Sequence, residues 1–184
     1  MKSLPWIFLY GPPGSGKSTL ARWLAERLEA PCYDLDERIE QTDGRSIPAI
    51  FEREGESGFR QREKNALRDL LTQPAGVAAL GGGALLDADN RQLAERRGSV
   101  LCLTASRQTL FERLDSTNQT RPLLKSEKDG WQARLAALLE ARREHYTSFE
   151  TCLPTDGRGL DETGWDALCT LGIFPIRGMG KPYR

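Results

Sequence analysis

Gly11-Pro12-Pro13-Gly14-Ser15-Gly16-Lys17-Ser18-Thr19 satisfies the pattern G-x-x-x-x-G-K-[ST] at every required position. The apolar run Trp6 to Tyr10, of strand character, precedes it directly. Ala21, Leu24, Ala25 and Leu28 follow at i, i+3, i+4 and i+7, the spacing of an amphipathic helix. A strand, a glycine-rich loop and a helix in that order make a phosphate cradle. Glycines leave backbone N–H groups uncovered, and the helix N-terminus adds the positive end of its dipole. Lys17 supplies a point charge for the outer phosphates, and the Ser18 hydroxyl suits Mg²⁺.

Working outward, Pro31 to Asp34 reads as a second strand ending in Asp34-Leu35-Asp36. Two residues apart in extended chain, the carboxylates face one side, and at the carboxyl end of a parallel strand that side is the cleft beside the loop. Two acids there call for a cation, with Mg²⁺ and Lys17 as candidates. The alternative is that Asp36 caps a helix over residues 37–41. Ser46 caps a helix to Glu54, Gly55 to Gly58 breaks it, and a longer helix runs from Phe59 to Leu71. Arg60 falls in the first turn of that helix, where a cation is unfavourable unless it faces an acid or an anionic ligand.

Gly76 to Leu80 is a short apolar run of the buried parallel-strand kind, and Gly81-Gly82-Gly83 follows without a gap. No Asp ends this strand, so Asp34 must supply the carboxylate for a metal; that argues against GTPases and motor ATPases. A surface helix over 89–97, a strand over 99–103 and a helix from Ser106 to Leu114 come next. Residues 115–127 form a polar stretch containing Arg121-Pro122-Leu123-Leu124, the composition and length of a lid. Trp131 to Phe149 reads as one long helix, with Arg142 and Tyr146 in line with Leu135, Leu138 and Leu139. His145 is a bystander. A fifth strand over 151–153, a loop containing Arg158 and a helix over 161–171 complete the pattern. Five strands alternating with helices predict a three-layer α/β/α fold around a parallel sheet.

The chain has 184 residues, with Lys+Arg and Asp+Glu both 26 and zero net charge. That balance speaks against a partner gripped through its phosphate backbone, so no nucleic acid is expected. A hydrophobic content of 39% and a mean hydropathy of −0.52 fit one soluble globular domain. No apolar run reaches the roughly 20 residues of a membrane span, and the N-terminus enters a strand too soon to be a cleaved signal. Cys32, Cys102 and Cys152 fall in strands read as buried, and Cys169 in the last helix. Without paired spacing they are expected to be reduced and structural, in a cytoplasmic protein.

Taken together, a phosphate loop lies beside a second pocket of Asp36, Arg60, Arg142 and the glycine triplet. Two arginines suit a carboxylate and an aspartate suits hydroxyls, so the residues point to a small-molecule kinase acting on a hydroxylated acid. The chain resembles the shikimate kinases over about residues 5–171. Five blocks carry the likeness: Gly11 to Thr19, Asp34-Leu35-Asp36, Ser46 to Arg60, Gly81 to Ala84, and Arg121 to Leu124 with Arg142 to Tyr146. The Ser46 to Arg60 block and the Arg-Pro-Leu-Leu lid are the specific ones.

The resemblance implies a nucleoside-monophosphate-kinase-type fold with a mobile lid. It also implies ATP-dependent phosphorylation of the 3-hydroxyl of shikimate, in chorismate biosynthesis. By the family pattern Gly14, Ser15, Gly16, Lys17, Ser18 and Thr19 hold the nucleotide, with Arg158 near the adenine and Arg121 closing on the phosphates. Ser18 and Asp34 serve Mg²⁺, directly or through water. Asp36, Arg60, Gly82 and Arg142 bind shikimate, and Lys17, Asp36 and Arg121 are the catalytic set. Arg113 is left outside it. A gluconate-type kinase and a catalytically silent shikimate-binding module are the alternatives. The tail, residues 172–184, has no place in the compact family domain, and family members occur fused to enzymes such as dehydroquinate synthase. The chain is therefore expected to be a monomer, or one domain of a longer polypeptide.

Overall fold

A computed structural model of the chain describes residues 5–117 and 130–173. Its centre is β1 (Trp6–Tyr10), five apolar residues that are all buried. Period-two alternation sends Trp6, Phe8 and Tyr10 to one face of the sheet and Ile7 and Leu9 to the other. Ile7, Phe8 and Leu9 are 0% exposed, each contributing about 1.5–3 kcal/mol relative to solvent exposure.

The other strands are β2 (Cys32–Asp34), β3 (Val77–Ala79), β4 (Gly98–Thr104) and β5 (Cys152–Pro154). They pair in the order β2-β3-β1-β4-β5, all parallel. On the Ile7 and Leu9 face pack α1 (Lys17–Leu28) and α8 (Leu160–Thr170). The opposite face is covered by α2 (Leu35–Asp43), α3 (Ile47–Leu70), α4 (Ala88–Arg97) and α7 (Arg143–Thr147). A smaller cluster joins α5 (Arg107–Thr117) to α6 (Trp131–Ala141) through Leu110, Leu114 and Leu135. The three-layer expectation is met. Within the stretch read as a lid, residues 115–117 are the last turn of α5. Residues 118–129, with Arg121, lie outside the described residues, as do 174–184 of the tail.

Three local readings need correction, and a fourth, the break after Glu54, is met in narrower form: α3 is two helical stretches that meet at Gly55 (φ 68°, ψ −171°), the second resuming directly after it. An ion-pair cluster spans it. Glu54 receives Arg45 Nη2 at 2.8 Å and Arg62 Nη1 at 2.6 Å, and both arginines also bond Asp43 at the end of α2. These two guanidiniums hold the Asp43 carboxyl down to about 2. The long helix over 131–149 is two, α6 and α7, separated at Arg142 (φ −108°, ψ 4°), whose side chain turns toward the sheet.

The cap of α2 is Asp34 and not Asp36. Asp34 Oδ1 accepts from the backbone N–H of Asp36 at 3.0 Å, so the helix starts at Leu35 and Asp36 lies in its first turn. Finally, only Cys102 is buried; Cys32, Cys152 and Cys169 are exposed. Cys32 and Cys152 begin the two edge strands, where only one flank is covered.

Candidate active site

The phosphate loop leaves β1 at Gly11, where φ is +132° and an added Cβ would lie 2.2 Å from the Leu103 carbonyl oxygen. Only glycine fits between that conformation and that neighbour. The loop turns back through Gly14 (φ 81°) and Gly16 (φ 92°), and Gly16 stands at the N-terminus of α1. Lys17 Nζ donates to the carbonyls of Gly11 (3.0 Å) and Pro12 (2.8 Å), so the charge lies along the loop. Ser15 is 1% exposed, and its Oγ has no hydrogen-bond partner among the described residues. A buried hydroxyl within the loop that lacks such a partner suits an incoming phosphate oxygen.

Arg113, on α5, was not among the residues assigned from sequence. Its Nη1 donates to Gly14 O (3.4 Å) and Thr155 Oγ1 (2.9 Å), and its Nη2 to Thr155 O (2.7 Å). It thus ties the phosphate loop to the segment after β5. Arg158, on that segment, lines the same cleft and is paired with Asp166 on α8.

Beside the loop, Ser18 Oγ donates to Asp34 Oδ2 at 2.6 Å. One hydroxyl and one carboxylate in contact, with phosphate space next to them, form the all-oxygen donor set that Mg²⁺ prefers. That ion keeps several waters and takes few protein ligands.

The second half of the site forms where α2, α3, the β3 end and Arg142 converge. Arg60 Nη1 donates to Glu63 Oε2 at 2.6 Å, and its Nη2 to Glu56 Oε1 at 3.0 Å. The glycine triplet is the floor. A Cβ on Gly83 would lie 2.6 Å from the Arg60 guanidinium, and one on Gly81 would lie 2.7 Å from Glu63 Oε1 and 3.0 Å from Asp36 Oδ1. Three donors converge on the Gly82 carbonyl: Arg142 Nη1 (3.2 Å), Tyr146 OH (2.7 Å) and Tyr10 OH (3.2 Å). Asp36, Arg60, Gly82 and Arg142, far apart in sequence, therefore share one wall. Both halves open into a single cleft of about 1030 Å³.

Glu63 is a residue of this wall that sequence reasoning missed. It is 1% exposed, and its Oε1 has no hydrogen-bond partner among the described residues. Burial pushes its carboxyl up from 4.5 to about 7; Arg60 opposes the rise and Asp36 adds to it. The raised value sets the sign of a stability effect. The folded protein keeps a proton that the unfolded chain releases above about pH 4.5. The stabilisation is full below that pH and is lost as pH climbs through about 7. Denaturant titrations from pH 5 to 8 should show stability falling in the wild type and a flatter profile in Glu63→Gln. Parallel profiles would mean that Glu63 keeps an ordinary carboxyl.

His145 packs edge-on against Tyr10 (5.7 Å between centroids) and Phe149 (5.3 Å). Its Nε2 is buried with no hydrogen-bond partner among the described residues. It is a packing residue, neither solvated nor hydrogen-bonded at that atom.

The family model described as shikimate kinase matches residues 13–162. The shikimate kinase of Streptomyces coelicolor is 43% identical over 168 residues, 90% of this chain and 95% of that protein. A bifunctional shikimate kinase/3-dehydroquinate synthase of Thermotoga maritima is 40% identical over 180 residues, 96% of this chain but 35% of that protein. Among solved structures, the shikimate kinase of Acinetobacter baumannii in complex with shikimate superposes with a TM-score of 0.83. It is 37% identical, over 93% of this chain and 95% of that one.

Proposed function

The chain belongs to the shikimate kinase family, and we infer from that membership and the two-sided cleft that it transfers a phosphoryl group from ATP to the 3-hydroxyl of shikimate, giving 3-phosphoshikimate and ADP. The observation that carries the reading is the wall formed by Asp36, Arg60, Gly82 and Arg142 within one cleft of the phosphate loop. Phosphoryl transfer needs in-line positioning, charge neutralisation and exclusion of water, and each half of the cleft supplies part of this.

On the nucleotide side, the N–H groups of residues 14–19 and Lys17 take the phosphates. Lys17 exchanges its bonds to the Gly11 and Pro12 carbonyls for phosphate oxygens. Arg113 holds Gly14 in place from behind, and Arg158 flanks the base. Ser18 would hold Mg²⁺, with Asp34 reaching it directly or through water, and the bound ion would neutralise phosphate charge. Arg121, from its place in sequence, closes over the phosphates.

On the acceptor side, Arg60 and Arg142 clamp the carboxylate of shikimate. The Gly82 carbonyl is already engaged by three donors, so its N–H is the backbone group for the ligand. Asp36 accepts from the substrate hydroxyls and takes the proton of the attacking one. The protein acts in the cytoplasm as a monomer or within a fusion of the kind seen in the Thermotoga relative.

ADP release with Mg²⁺ and ATP should depend on shikimate and not on gluconate. Acceptor-independent release would make the chain an ATPase and remove the carboxylate clamp. Binding of shikimate without turnover would make it a silent module. Asp34→Asn should raise the Mg²⁺ concentration for half-maximal rate by about 10–100-fold, the usual cost of disturbing a group that orients a metal's ligands. An unchanged Mg²⁺ titration would take Asp34 out of the metal site.

A further inference from the structure

Cys102 on β4 and Cys152 on β5 are directly paired in the parallel register. The backbone bond from Cys102 N to Thr151 O, at 2.9 Å, pins that register. Residues paired in this way project from the same face. Two contacts agree: Cys102 packs in the cluster containing Tyr146 and Phe149, and Cys152 Sγ donates to the Phe149 carbonyl at 3.3 Å. Neighbouring strands lie about 4.8 Å apart. That falls inside the roughly 4.4–6.8 Å between Cα atoms that a disulfide spans.

We propose that Cys102 and Cys152 are a redox-active thiol pair, a modification site that closes to a disulfide by exchange with a small-molecule disulfide. The two thiols have unequal access. Cys152 is exposed on an edge strand, whereas Cys102 is 0% exposed. Burial pushes the Cys102 thiol up to about 12, and the neighbouring Cys152 thiol adds to the rise. Cys152 therefore meets the oxidant first. Its thiolate attacks one sulfur of the small disulfide, a new S–S bond forms, and one small thiolate leaves. Cys102, giving up its proton to the departing small thiolate, then attacks Cys152 Sγ and expels the other half of the small disulfide. Two protein thiols and one disulfide become one protein disulfide and two small thiols, the protons lost by the cysteines passing to the leaving thiolates.

Closure removes the S–H donor from the Phe149 carbonyl, at the end of the segment that begins with Arg142. A transient bond of this kind is the form that disulfides take in reducing compartments. Cys32 lies opposite Val77 in its strand pair, so it has no thiol across from it. It and the exposed Cys169 of α8 serve as internal references.

The test is to incubate the folded chain with oxidised glutathione, quench with an alkylating agent, and map peptides without reduction. The expected result is a linked pair of peptides carrying Cys102 and Cys152, released by dithiothreitol. Cys32 and Cys169 should appear only as alkylated or glutathione-bearing peptides. In Cys102→Ala the second step is blocked, so Cys152 should accumulate as its glutathione adduct. In Cys152→Ala, which changes an exposed side chain and keeps the core intact, Cys102 should stay free. The proposal is overturned if wild-type Cys152 ends as a stable glutathione adduct, or if neither thiol reacts while Cys32 and Cys169 do.

Discussion

Replacing Asp36 by asparagine lowers kcat by about 10²–10⁴-fold, the range that a positioned proton acceptor contributes, while the KM for ATP stays near the wild-type value. Asp36 sits in the first turn of α2, above Gly81 and beside Glu63, away from the bonds that Lys17 makes in the phosphate loop. Asparagine keeps the shape and one acceptor oxygen but cannot take a proton. A loss confined to kcat is thus the mark of the acid's chemistry, and a loss confined to the KM for shikimate the mark of hydroxyl binding alone. Steady-state kinetics with each substrate varied separate the two. Turnover within a factor of a few of wild type would remove Asp36 from the proton's path.

Arg60→Met should lower kcat/KM for shikimate by about 30- to 4,000-fold, the equivalent of the roughly 2–5 kcal/mol lost when one partner of a buried charge pair is truncated. The guanidinium lies over Gly83 and is bonded to the buried Glu63. Its removal would take away half of the proposed carboxylate clamp and leave Glu63 without that cation. A second change divides these effects. Arg60→Met with Glu63→Gln neutralises the stranded acid and should restore thermal stability without restoring the acceptor KM. Recovery of that KM in the double variant would show that Arg60 acts through Glu63 and not on the ligand.

The bend of the glycine-rich loop is legible in the sequence because its backbone dictates residue types. A backbone that must bend through Gly11, Gly14 and Gly16, followed by a lysine and a hydroxyl, leaves few alternatives at those positions. β1 and β3 are equally plain, since strands covered on both sides read as unbroken apolar runs. The edge strands misled. β2 and β5 are each paired on one flank only, so cysteines that look like core in sequence are exposed.

The separation of α6 from α7 has no glycine or proline to announce it. Leucine spacing carries straight through Arg142, and the break answers a contact with Gly82 from a remote part of the chain. Gly55, by contrast, announces its break: it reads as a stop, and the two halves of α3 meet there, clasped across it by Glu54 and Arg62. Glu63 was hidden by its neighbours. Arg60-Gln61-Arg62-Glu63-Lys64 has the composition of a solvated helix face, and only the tertiary fold buries one of the five under the glycine triplet.

The kink in α3 has one further consequence. The phosphate loop grows out of a strand that is hydrogen-bonded on both flanks and sealed from water, so its amides can exchange with solvent only when the sheet itself opens. The acceptor wall is secured by partly exposed ion pairs around Gly55, which water and salt screen. Hydrogen–deuterium exchange should accordingly divide the active site along its middle. The ATP half would belong to the last unit of the protein to unfold, and the shikimate half to one that opens on its own and gains protection when substrate arrives.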